Sequence, residues 1–256
     1  RLRGLARRFL LSRWAQIVAL VVGLALVALS ALAVVRVGHV PPRPTRNLWA
    51  MHQRPMRVAA TFEANRGQLP ANIRFRLHTG QSTWSFTAGG AAQFSAETAA
   101  HRSRSRLAVE LKPVGARAHL DPVGYGRLPG YVSYFLGSDA GRWRSRIPTF
   151  TGVLYRSVYP GIDLHFHSAP GGLEYDWIVQ PGADPARVAI SVTGARAVHP
   201  GPGGSIILST NAGNMREEAP HVYQVVHGRL QRIEGRLALT QGRVLRFSVA
   251  AYDRAR

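Results

Sequence analysis

Five polar side chains stand close together at spacings that suit chemistry: Asp163, His165 and His167 in one run, Glu174 and Asp176 in the next. Histidines two apart with carboxylates beside them form a donor set for zinc, and two carboxylates flanking a sugar are the acid and base of glycoside cleavage. Any solvent-facing strand pair alternates polar residues in the same way, and spacing fixes no further strong ligand, so the architectural reading carries more weight. The chain has no cysteine, which removes thiolate metal sites, cysteine nucleophiles and disulfides together. It also lacks G-x-S-x-G, H-E-x-x-H and P-loop signatures. Gly124-Tyr125-Gly126 and Gly201-Pro202-Gly203-Gly204 are turn glycines that open no phosphate-holding helix. No catalytic residue, metal ligand or cofactor is therefore assigned.

What positions the five residues is a hairpin. Ile162, Leu164 and Phe166 alternate with Asp163, His165 and His167, and Leu173, Tyr175, Trp177 and Val179 alternate with Glu174, Asp176, Ile178 and Gln180. Each run has the period of two of a strand, so the aromatic face of the second can lie beside the apolar face of the first. Tyr159-Pro160-Gly161 leads into the hairpin, and Asp163 is placed to accept backbone N–H groups or an arginine at its entrance. Pro181-Gly182 closes it, with Asp184 as the cap and Pro185 as the first residue of a helical turn.

V-Y-P-G-I-D-L at 158–164, L-E-Y-D-W-I-V at 173–179 and P-G-A-D-P at 181–185 resemble the uncharacterised bacterial domain that precedes SBBP-type seven-bladed β-propeller repeats in exported proteins. F-E-A-N-R-G-Q at 62–68, with Phe62, Glu63, Asn65, Gly67 and Gln68, fits the same domain, as do Y-F-L-G-S-D-A-G-R-W at 134–143 and E-E-A-P-H-V-Y-Q at 217–224. The resemblance covers residues 58–256 and implies an exported, mostly β domain with no assigned reaction. It supplies structural residues and no catalytic ones, and His165 and His167 are not part of it.

Around the hairpin the chain divides into three stretches. Residues 1–37 are a basic lead with Arg1, Arg3, Arg7, Arg8 and Arg13, followed by the apolar run Trp14 to Val35. A helix of about 20 such residues spans a bilayer, and the arginines keep the lead in the cytoplasm. Ala31-Leu32-Ala33 has the small-x-small pattern of a cleavage site, so a removed signal peptide is the alternative to an anchor; the length of the run favours the anchor. Residues 38–57, with Pro41, Pro42 and Pro44, read as an extended stalk. Residues 58–256 form the exported domain, with strands expected at Ile73–His78, Ser82–Thr87, Ala91–Ser95, Leu107–Leu111 and Tyr131–Leu136. The Gly- and Pro-rich stretch 113–130 reads as a long connection between two β layers or subdomains. Turns at Asn211–Asn214, His227-Gly228 and Gln241-Gly242 mark a terminal meander.

Composition agrees with an all-β domain: 26 Gly, 16 Pro and few amphipathic helical patterns favour short strands joined by turns. The net charge of +20 is almost wholly arginine, Lys112 being the only lysine. Ten of the 33 basic residues precede Glu63, the first acid, which leaves 23 basic against 13 acidic residues in the domain. No basic helix or aromatic-basic RNA motif gathers them, so no specific nucleic-acid partner is expected. Arg142, Trp143, Arg144 and Arg146 follow the turn Gly137–Gly141 as an arginine–tryptophan cluster. Such a composition suits an interaction surface for a protein or an anionic glycan, although a tryptophan such as Trp143 is more often a core plug under a loop.

The expectation is thus an all-β, sandwich-like domain of antiparallel meanders and hairpins behind one N-terminal transmembrane or signal helix. It would be tethered to the membrane and exported to the cell surface or periplasm, or secreted if the segment is cleaved, and serve as a non-catalytic structural or interaction module. A carbohydrate-active or metal-dependent enzyme using the hairpin carboxylates, and an anionic-polymer binding module, are the alternatives. Convergence of Arg102, Arg104, Arg142, Arg144 and Arg146 on one face would favour the last.

Overall fold

The computed structural model describes residues 18–26, 60–79, 82–96, 106–169, 172–211 and 213–255. The described residues contain strands and short 3-10 turns, and among them no helix is long and apolar enough to cross a membrane. In chain order the strands are β1 (Val18–Leu26), β2 (Phe62–Ala64), β3 (Ile73–Thr79), β4 (Ser82–Thr87), β5 (Ala92–Ala96), β6 (Arg106–Pro113), β7 (Val123–Tyr134), β8 (Arg144–Tyr159) and β9 (Ile162–Ala169). They continue as β10 (Gly172–Val179), β11 (Ala189–Thr193), β12 (Ala197–Pro200), β13 (Ile206–Thr210), β14 (Gly213–Glu217), β15 (His221–Val226), β16 (Arg229–Ile233), β17 (Gly235–Thr240) and β18 (Val244–Val249).

Every described pairing is antiparallel, so the expected all-β class is found. β2 to β6 form one meander, and β7 to β10 form a second that joins it where Phe62 of β2 meets Phe150 of β8. β6 pairs with β11, and β11 with β18. One core lies within this ladder, with Phe62, Trp84, Phe86, Tyr155, Tyr175 and Trp177 almost wholly buried. Six such aromatic rings bury enough apolar surface to dominate the stability of the domain.

Three regions differ from expectation. Within the apolar run read as a helix, Val18–Leu26 is a strand, paired with β10 on one edge and with β15 and β14 on the other. A continuous apolar run suits a strand flanked on both sides as well as it suits a helix, and periodicity cannot separate the two. The rest of that run and the whole stalk lie outside the described residues. Second, Val123–Gly130 belongs to the long strand β7 and is not a connection. Its glycines serve close packing: a side chain on Gly124 would come within 2.4 Å of the Phe150 ring. Third, the C-terminal strands form two hairpins, β15–β16 and β17–β18, and β18 turns away to pair with β11.

Candidate functional site

The polar residues of the central hairpin come together as the spacing implies, but most are engaged in building the fold. β9 and β10 are in register with His165 opposite Asp176 and His167 opposite Glu174. Asp163 accepts a hydrogen bond from the Ser157 N–H at 2.6 Å. Ser157 has a φ of 50° where the β8–β9 register slips between Tyr155 and Tyr159, so this carboxylate secures a bulge that interrupts the ladder. Asp176 directs one oxygen at both imidazoles, 3.2 Å from His167 Nε2 and 3.7 Å from His165 Nδ1. Burial opposes ionisation of Asp176, yet the two histidines outweigh it and hold the carboxyl below its ordinary range. The same hydrogen bond, against burial, raises His167. His165 lies over Gly152, where a side chain would come within 2.5 Å of its Nε2, and its ring meets Tyr125 edge-on at 4.6 Å. Among the described residues no group of three His, Asp or Glu is arranged to hold a metal ion.

A different arrangement forms on the β7–β8 arm. An open cleft of about 520 Å³ is lined by Arg66, Arg127, Arg144, Ser145, Arg146, Pro148 and Phe150. Its four arginines come from three places in the chain: the loop after β2, the middle of β7 and the start of β8. Among the described residues none of the four is paired with a carboxylate. Neutral groups hold Arg127, Arg144 and Arg146 in place instead. Arg127 donates to the carbonyls of Leu128 and Thr149 at 2.7 and 3.2 Å. Its guanidinium lies 5.0 Å from the Tyr131 ring centre and 5.5 Å from that of Phe150. Arg146 lies 4.9 Å from the same Tyr131 ring, and Arg144 donates to the carbonyls of Gly141 and Trp143. Stacked and oriented guanidinium groups keep free N–H donors for a phosphate, sulfate or carboxylate.

The F-E-A-N-R-G-Q stretch forms one wall of this cleft. Asn65 organises the loop from both ends of its amide: Oδ1 accepts from the Gly67 N–H, and Nδ2 donates to the Ile73 carbonyl at 2.7 Å. Gln68 accepts from the Arg66 N–H and donates to the Ala64 carbonyl. Gly67, with φ of 98°, passes so close to Arg144 that a side chain would meet its guanidinium at 2.9 Å. Buried Glu63 accepts a 2.5 Å hydrogen bond from Tyr134. Burial and then Glu63 push that phenol up to about 12, so Tyr134 stays a donor and ties the arm to β2.

The arginine–tryptophan cluster is therefore divided. Arg144 and Arg146 line the cleft, whereas Arg142 sits exposed on the 3-10 turn Ala140–Arg142, capped by Asp139. Trp143 plugs no core: it is 41% exposed and packs edge-on against Phe135 at 5.5 Å. Arg66 and Arg127 are missed by sequence reasoning because each is isolated in the chain; only the β2–β8 and β7–β8 pairings bring them together. Arg102 and Arg104 lie outside the described residues. The remaining motif residues are structural: Tyr159 donates to the carbonyls of Val114 and Ala189, Gly161 and Gly182 take positive φ at the hairpin's ends, and Asp184 caps the turn that starts at Pro185.

A second polar feature without a sequence signal is buried Glu217 on β14. Tyr175 donates to its Oε1 at 2.6 Å, and its Oε2 has no partner. Burial pushes this carboxyl up to about 8, so it is protonated at neutral pH.

The fold and the cleft define a class: an antiparallel β domain with an aromatic core and an arginine-lined arm. The chain belongs to the family described as domain of unknown function DUF7948, which matches residues 62–256. No curated protein and no solved structure matches it.

Proposed function

We propose that this domain is a non-catalytic extracytoplasmic interaction module whose β7–β8 arm binds an anionic partner. One observation carries the reading: four arginines from three chain segments converge on one cleft, and among the described residues none of them is paired with a carboxylate. Like charges gathered on one cleft repel one another, and a ligand of opposite charge relieves that repulsion. Two of the three hairpin carboxylates are engaged within the fold, Asp163 with the Ser157 amide and Asp176 with two histidines, which supports the non-catalytic reading. The extracytoplasmic placement rests on the resemblance of residues 58–256 to the domain that precedes SBBP-type propeller repeats.

Titration with heparin as a soluble polyanion is the test. Binding should weaken steeply with added salt, show no preference among DNA sequences used as alternative polyanions, and drop several-fold in the double variant Arg66→Gln, Arg146→Gln. A complex insensitive to salt and to both substitutions would refute the assignment of the cleft.

A further inference from the structure

The arm carries an apolar group at its end as well as charge along its side. Residues Arg144 to Pro148 of β8 have β7 as their ladder partner, beyond the reach of β2 and β9. The ladder therefore continues past the last β2 and β9 pairings, held on the 62–68 loop by the Tyr134–Glu63 hydrogen bond and the approach of Gly67 to Arg144, with Ile147 buried beneath it. At its end Phe135 is 61% exposed, Leu136 68% and Trp143 41%, with Phe135 and Trp143 in ring contact. A lone exposed apolar residue such as Leu230 needs no explanation, but three together on one loop mark a docking surface.

The arm is poorly suited to pair with another strand. Register shifts between Arg127 and Tyr131 and between Val132 and Tyr134, together with Pro129 and the positive φ of Gly126, break its outer edge. It is well suited to a bilayer interface. Trp143 Nε1 already donates to the Gly137 carbonyl at 3.1 Å, so burying the indole leaves no N–H unpaired. Arg142, Arg144 and Arg146 flank it, with long stems that can run along acyl chains while their charged ends stay among head groups. Asp139 is the one carboxylate of the loop, and it is engaged in accepting from the Gly141 N–H.

We propose that the end of the β7–β8 arm docks on an anionic phospholipid surface, with Phe135, Leu136 and Trp143 entering the interface and the cleft arginines taking lipid phosphates. This rests on the anionic reading of the cleft given above. Aromatic and aliphatic side chains beside arginines are the composition that holds peripheral proteins at such interfaces.

The cysteine-free chain allows a direct test, since Leu136→Cys in this chain introduces a single thiol for an environment-sensitive fluorophore. Ala238→Cys on exposed β17 serves as the control. With phosphatidylcholine vesicles containing phosphatidylglycerol, the label at 136 should shift to the blue and be quenched by spin-labelled lipid, while that at 238 should not. Phe135→Ser in the 136-labelled chain should reduce the quenched fraction about tenfold. Insertion of equal strength into phosphatidylcholine alone would overturn the requirement for an anionic surface. Heparin binding that needs Arg66 and Arg146 while the label at 136 stays in water would overturn membrane docking yet leave the cleft reading intact. Failure of both heparin and vesicles to bind would remove both proposals.

Discussion

The central hairpin and the β7–β8 arm use similar residues for opposite ends. In the hairpin, Tyr175 and Trp177 are buried, and Asp163 and Asp176 have protein partners. On the arm, Tyr131, Phe135 and Trp143 face solvent, and the guanidinium groups beside them lack acidic partners. Aromatic and charged residues thus stabilise where their partners lie within the protein and recognise where those partners must come from outside. The hairpin resembles a site more strongly in its spacing, yet the arm has the open surface.

Substitutions in the two regions should separate accordingly. Trp177→Ala should cost about 3–5 kcal/mol in chemical denaturation, because it opens a cavity beside Tyr159 and Tyr175. Trp143→Ala should cost well under about 1 kcal/mol, as is usual for surface changes. Equal losses in melting temperature would mean that the arm is as much a part of the core as the hairpin.

The next largest effect should be the pH dependence set by Glu217. Its folded pKa is raised to about 8, so between the ordinary glutamate range and that value the folded state binds a proton that the unfolded chain has released. Stability from this group is complete below about pH 4 and falls by about 1.4 kcal/mol per pH unit until the folded group ionises near 8. Denaturation midpoints across this window should therefore decline, and Glu217→Gln, which keeps an acceptor for Tyr175, should flatten the decline. An unchanged profile in that variant would assign the pH dependence to other groups.

Asp163→Ala should cost on the order of 1–3 kcal/mol by leaving the Ser157 N–H without its acceptor. His165→Ala and Glu174→Gln should cost less, since neither supports a bulge. If Asp163→Ala melts like the parent while a hydrolytic activity disappears, the hairpin is a catalytic site and its contrast with the arm fails.

The smallest effects should come from Arg66→Gln and Arg146→Gln, within about 0.5 kcal/mol of the parent in stability, with the change appearing in heparin affinity instead. A large loss of stability would make these arginines structural and close the gap between the two regions.

Local patterns in the sequence determined the strand content and the central hairpin. Period-two alternation at Ile162–Phe166 and Leu173–Val179, with Pro-Gly and Asp-Pro turns beside it, depends on neighbours a few residues apart, and the structure has that pairing. The position of Asp163 two residues after Gly161 likewise pointed to a backbone acceptor. Long-range pairing decided the rest. Val123–Gly130 reads as a loop by its glycines and proline, and becomes a strand because Gly124 and Gly126 leave room for Phe150 and Thr151 of β8. Arg66 and Arg127 carry no local signal and meet Arg146 only through ladders between distant segments, and the Tyr175–Glu217 bond joins residues on separate hairpins. Propensity and turn chemistry act over a few residues, whereas the convergence of charges on a cleft and the burial of a carboxyl depend on which strands become neighbours.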